Sequence, residues 1–255
     1  MIAVFLLLIV GGIGLTLAVS DPRQVTLRWM RLGGIIAGCL LAVTAVIVVG
    51  GEDHWMASDW LCFSGTTAMF VTQLTAVQLA RRRLQRAAAL LGWSLASWTI
   101  VSYLTDISAI EHSNWMALTV TIAVSSAVTG GFLMTMLLGH AYLTARNEMT
   151  QRPFLRLTTM LGVLLVIRLL LSALLAGWPY FENDQLVYRP WDVMMMTTRY
   201  LVGLVVPGLF VYMIYDCVKR RVNQSATGIL YVALVLVIIG EGTALALLRA
   251  TGRAF

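Results

Sequence analysis

The chain has 255 residues, 59% of them hydrophobic and 12% charged, with 18 Lys and Arg against 12 Asp and Glu. Soluble domains carry about 25% charged residues, and here the deficit runs along the whole sequence, which excludes a water-soluble surface and leaves no separate aqueous domain. A pI near 9.6 would point to nucleic acid in a soluble protein; in a polytopic membrane protein excess arginine is first a topology signal, so nucleic acid is not an expected partner.

A bilayer hydrocarbon core about 30 Å thick is crossed by about 20 apolar residues in a helix. Eight such runs follow one another, at about 1–19, 33–50, 60–80, 87–105, 115–141, 157–178, 194–215 and 226–248. The sequence therefore predicts an all-α integral membrane protein, a single bundle of eight transmembrane helices. The first run ends in Ala18-Val19-Ser20, which resembles a signal-peptide cleavage site. No basic residue precedes it and Arg23 follows it, so it reads as a retained helix with its amino end outside.

The connections alternate in charge. Those after the first, third, fifth and seventh runs hold Arg23, Arg28 and Arg31; Arg81, Arg82, Arg83 and Arg86; Arg146, Arg152 and Arg156; and Lys219, Arg220 and Arg221. The other three contain Arg189 as their one basic residue, and hold the acids Glu52, Asp53, Asp59, Asp106, Glu111, Glu182, Asp184 and Asp192. Basic loops stay cytoplasmic, so both termini are expected outside, in a bacterial-type inner membrane. Trp55, Trp60, Trp115, Trp178 and Trp191 flank the span ends on the outer side, where an indole favours the interface.

Taken in chain order, the polar residues inside the spans are the ones that need explaining. Gln73 in the third is expected to bond a neighbouring helix. Ser125, Ser126, Thr129, Gly130 and Gly131 in the fifth are expected to allow close packing. His140, at the cytoplasmic end of the fifth, reads either as an interfacial hydrogen-bonding residue or as a proton relay or second substrate contact. Arg168 lies near the midplane of the sixth. The loop at about 178–193 mixes aromatic, proline and acidic residues, as a docking surface would. In the seventh, Arg199 precedes Gly203 and Pro207, and the proline is expected to break the backbone ladder and open space near the arginine. Ser225 is the expected N-cap of the eighth, in which Glu241 follows Gly240. Arg199 and Glu241 lie about 10 Å deep from the same face on consecutive helices, so they are expected to pair, with Arg168 extending the pair inward. Such a cluster is either a structural ion pair or a polar site for a quinone head group, with glutamate exchanging protons and arginine donating hydrogen bonds.

Several classes are excluded. The only lysine, Lys219, is in a loop, so no retinal Schiff base is expected, and no Walker loop, H-E-x-x-H or G-x-S-x-G occurs. Cys39, Cys62 and Cys217 show no metal-binding spacing, and one histidine within a span does not make a bis-histidine haem site. No metal or cofactor bound by the chain itself is expected, apart from a possible quinone.

Eight helices with both ends outside, Thr198-Arg199-Tyr200-Leu201-Val202-Gly203-Leu204 in the seventh and Gly240-Glu241 in the eighth resemble the membrane anchor subunits of the polysulfide-reductase and DMSO-reductase type. The resemblance covers layout and these late positions, while the connections are shorter than in the larger members. It implies a bundle that binds quinol near its outer face and passes electrons to an iron–sulfur or haem partner docked on the acidic, aromatic rim. Glu241 would carry the proton, with Arg199, Arg168 and His140 as substrate contacts. The alternatives are a non-catalytic accessory or assembly subunit and a proton-coupled small-solute transporter.

Overall fold

In the computed structural model of the protein, the described residues are 1–51, 55–105, 115–144, 150–181 (side chains to 175) and 190–252. They form eight helical rods and, among the described residues, no strand: α1 (Ile2–Val19), α2 (Leu27–Gly50), α3 (Ala57–Gln78), α4 (Arg82–Thr105), α5 (Trp115–Thr144), α6 (Arg152–Phe181), α7 (Pro190–Lys219) and α8 (Asn223–Thr251). Seven of the rods are long and apolar enough to cross a membrane; α3 is not among them. The exposed coat is apolar, with Val46 72%, Leu61 74% and Leu174 69% accessible. In water such a surface would drive aggregation; around a membrane bundle it faces lipid. The protein is thus a helical, multi-pass membrane bundle.

The rods run past the apolar stretches at most ends, and at the starts of α2, α4 and α6 arginine is the reason. Arginine is a good helix former, and a helix entering the headgroup layer loses no backbone bonds by continuing. Thus α2 begins at Leu27 rather than near 33, with the Thr26 side chain accepting from the Trp29 N–H at 3.4 Å. Helices α4 and α6 begin at Arg82 and Arg152 and carry their basic residues in the first turns. At the same end of the bundle α3 and α7 close with 6→1 backbone bonds, Arg81 N–H to Ala76 O and Val222 N–H to Cys217 O, both 2.9 Å. The turning residues, Ala80 and Arg221, take positive φ of 53° and 61°. The turn after α7 leaves no room for a cap at Ser225, because α8 starts at Asn223 with Val222 as its N-cap and no side-chain cap bond. Ser225 lies inside the first turn, contrary to expectation.

Helix α1 is the hub, packed against α2, α4 and α5, while α5 joins this group to α6 and α8. The α1–α5 contact is backbone on backbone. A Cβ at Gly12 would lie 1.8 Å from the Ser126 carbonyl oxygen, and one at Gly130 would lie 2.4 Å from the Gly12 carbonyl carbon. Without a hydrophobic drive between helices in lipid, such close approach lets van der Waals contact and polar bonds hold the pair. The polar bonds come from the flanking helices: Trp93 Nε1–H of α4 to Ser126 Oγ of α5 at 2.9 Å, Trp29 Nε1–H of α2 to Met134 O of α5 at 3.1 Å and Gln85 Nε2–H of α4 to Leu17 O of α1 at 3.1 Å. Gln73 departs from expectation: it is fully buried, and neither its Oε1 nor its Nε2 has a hydrogen-bond partner.

Candidate functional site: a buried arginine–glutamate cluster

The π-helical turn Thr198–Val205 inside α7 sets the site. Pro207 lacks the N–H that an α-helix needs at its position, and the chain answers by widening the turn before it, with the Val206 N–H bonding Leu201 O five residues back. No gap opens at Gly203, as the proline had led one to expect. Gly240 of α8 fills the place: a Cβ on Gly203 would meet Gly240 Cα at 2.5 Å. This notch brings Arg199, one turn from Gly203, against Glu241, the neighbour of Gly240.

Arg199 Nη1 donates to Glu241 Oε1 at 3.0 Å, and Arg168 Nε lies 3.7 Å from the same oxygen. Arg168, Arg199 and Glu241 are 1%, 0% and 1% exposed. Arg168 Nη1 also donates to Ser172 Oγ at 3.2 Å, and the Tyr200 hydroxyl donates to Ser172 O at 2.8 Å, tying α6 to α7. From α5, Ser125 lines a small cavity together with Arg168 and Glu241. Four helices therefore converge around one carboxylate.

Two guanidinium groups face one carboxylate in this buried cluster. Removing charges from water costs several kcal/mol per ion, so such a cluster is expensive to keep. The hydrogen bonding of Arg199 is incomplete. Arg199 Nε and Nη2 are buried with no partner, and so is Thr121 Oγ1 of α5. Beside the cluster, Thr121, Ser125, Arg168, Glu241 and apolar side chains including Leu8 and Leu245 line a cavity of about 10 Å³ for a water's centre. On the lipid side a groove of about 750 Å³ runs between α6 and α7, floored by Leu165, Leu169 and Leu204. Those floor residues lie within about one turn of Arg168 and Tyr200, and the Tyr200–Ser172 bond crosses between the helices beyond the groove's upper end.

Of the expected site residues, Arg199, Glu241 and Arg168 come together. His140 does not. It is exposed, fifteen residues beyond Ser125 on α5, about 22 Å along the rod, and it shares no contact with the cluster. Its expected place at the cytoplasmic end of the fifth span already set it at a different depth from Arg199 and Glu241. Ser125 was expected to serve packing, and Ser172, Tyr200 and Thr121 were not singled out. Ser172 stands four residues after Arg168, the spacing of facing side chains on one helix, and that signal was available.

The outer rim also differs from its expected form. Asp59 is 1% exposed; its carboxylate accepts from the Met56 N–H at 3.1 Å and from the Ser102 hydroxyl. Around it Trp55, Trp60, Phe63 and Tyr103 pack ring on ring, with centroids 5.5 to 6.0 Å apart. Asp59 thus caps α3 and joins it to α4 rather than adding charge to a docking face. Glu52, Asp53, Asp106, Glu111 and residues 182–189 of the 178–193 loop, with Glu182 and Asp184, lie outside the described residues. Among the described residues no group of three His, Cys, Asp or Glu is placed to hold a metal.

Compared with protein-family models, curated proteins and solved structures, the chain matches none.

Proposed function

We propose that the protein is a quinone/quinol-interacting membrane subunit of a respiratory or related electron-transfer complex. The observation that carries this reading is the pair of unpartnered donors, Arg199 Nε and Nη2, buried beside an ion-paired carboxylate. A quinone carbonyl needs a hydrogen-bond donor, a quinol hydroxyl needs a proton acceptor, and the cluster holds one of each within a single contact. Arg199 orients the head group, Glu241 takes the quinol proton, and Arg168, 3.7 Å from the same Glu241 oxygen, supports the pair. The α6–α7 groove gives an apolar tail a lipid-accessible path to the same depth. The electrons pass to an iron–sulfur or haem partner at the outer rim.

This reading sets the chain in a bacterial-type inner membrane with eight spans and both ends outside. Twenty-two residues of α3 rise about 33 Å, enough to cross. The hydroxyls of Ser64, Thr66, Thr67, Thr72 and Thr75 all donate to carbonyls of their own helix, which lowers the cost of its polarity in lipid. Arg86 lies 3.5 Å from Asp21, so the α1–α2 and α3–α4 connections share one end, the end rich in arginine.

The test is quinol oxidation by the complex purified from its membrane. Glu241→Gln should lower kcat about a hundredfold, the lower range for a lost general base, while the subunit still copurifies with its partners. The competing reading is an accessory subunit whose cluster only fixes α7 against α8, and the glycine notch favours it. On that reading Glu241→Gln would disrupt assembly, or leave turnover untouched in an intact complex.

A further inference from the structure

Within α5, Thr119, Thr129, Thr135 and Thr144 each donate to a backbone carbonyl three or four residues back. Thr121 does not: it is 3% exposed and its hydroxyl has no partner. That hydroxyl lines the cavity of about 10 Å³ that Ser125, Arg168 and Glu241 also line. A water needs roughly 10–15 Å³ of such space and two to four polar partners. The space admits one water and no head group. We propose that this cavity is a binding site for a single ordered water, held between Thr121 and Glu241, and that this water is the relay through which Glu241 exchanges its proton.

The direction of the relay follows from the helices. Thr121 lies one turn nearer than Ser125 to the α5 end at Trp115, while Ala244, Leu245 and Leu248 of the same cavity lie between Glu241 and the α8 end at Thr251. The route therefore leads from the carboxyl group toward the bundle end that holds the start of α5 and the finish of α8. Its lining comes from α1, α5 and α8 with Arg168 of α6, and shares no residue with the α6–α7 groove, so the proton route and the lipid-facing groove are separate. In the step itself the protonated Glu241 donates its O–H proton to the water oxygen, the water passes one of its own protons to the Thr121 hydroxyl oxygen, and that hydroxyl releases its original proton to solvent water at the bundle end where α5 starts. The carboxylate is restored to its arginines with no net change in the water.

This inference rests on Glu241 being the proton carrier, but one of its tests does not use quinol. The full chain in lipid nanodiscs is examined by infrared difference spectroscopy between ordinary and ¹⁸O-labelled water. The wild type should show an isotope-sensitive O–H stretch from a weakly bonded internal water, absent in the isosteric Thr121→Val and present in Thr121→Ser. In the assembled complex Thr121→Val should lower kcat about tenfold with KM unchanged, the scale of one lost hydrogen bond, and Thr121→Ser should restore it. No such band in the wild type, or an undiminished band in Thr121→Val, overturns the water site. Loss of the band with kcat unchanged overturns the relay. Normal turnover in Glu241→Gln would sink the quinol reading instead, and would leave the spectroscopic result standing.

Discussion

Gly240→Ala tests whether the notch between α7 and α8 holds the cluster together without touching a charged residue. The added Cβ would stand 2.3 Å from Gly203 Cα and 3.2 Å from its carbonyl carbon. Carbon atoms in contact sit about 3.5 Å apart or more, so the helices must part by about 1.2 Å. The same displacement stretches the Arg199–Glu241 bond, now 3.0 Å, to about 4 Å, beyond hydrogen-bond range. Overpacking costs about 1–3 kcal/mol and the weakened charge-assisted bond about 1.5–3 kcal/mol. Gly242→Ala is the matched control, two residues on in the same helix, where an added Cβ meets nothing within 4 Å. Both variants gain the same helix propensity, so their difference isolates the notch at roughly 3–6 kcal/mol. At about 2–4 °C per kcal/mol, thermal unfolding in one detergent, followed by tryptophan fluorescence, should place Gly240→Ala roughly 6–24 °C below Gly242→Ala. Midpoints that coincide would refute the claim that glycine contact sets the pair.

Gly12→Ala should prevent a monodisperse fold, since its Cβ would fall 1.8 Å from a backbone oxygen, whereas Gly38→Ala, in open space, should behave as wild type in size-exclusion chromatography. Gln73→Met should raise the thermal midpoint by the equivalent of about 1–3 kcal/mol, because it removes a buried amide with neither end bonded; a lowered midpoint would mean that the amide has a partner. In intact cells stripped of their outer membrane, a membrane-impermeant maleimide should label a cysteine at Trp191→Cys and spare one at Arg83→Cys. The reverse pattern would invert the proposed orientation.

Much of the cluster was legible in the sequence because bilayer depth is a one-dimensional property. Arg199 and Glu241 stand at equal distances from the same ends of consecutive helices, and a short connection forces those helices to be neighbours. Angular position was harder to read. Helices α5 and α6 are apolar almost all round, so no amphipathic stripe shows which face of Ser125 or Ser172 meets the interior. Hydropathy also ends a span where charge begins, whereas the backbone continues through Arg28, Arg82 and Arg152 until its hydrogen bonds are closed. Asp59 was counted with the outer acids because a carboxylate at a span end is ordinarily wet; its N-terminal cap and the Ser102 hydroxyl satisfy it instead. The proline at 207 announced a disturbed ladder, but whether it becomes a gap or a wide turn depends on Gly240, thirty-three positions downstream.

The central place of α1 bears on how the protein is made. Its tightest neighbours, Ser126 and Gly130 of α5, are translated more than a hundred residues after Gly12, a delay of roughly 6–24 s at about 5–20 residues per second. During that interval a rod built to be enclosed must wait at the insertion machinery or in lipid, its glycine face bare and open to mispairing. Quality control in the membrane should therefore act on nascent chains that stall before α5, and slower translation through the α4–α5 region should lower the yield of assembled protein more than the same slowing after α6.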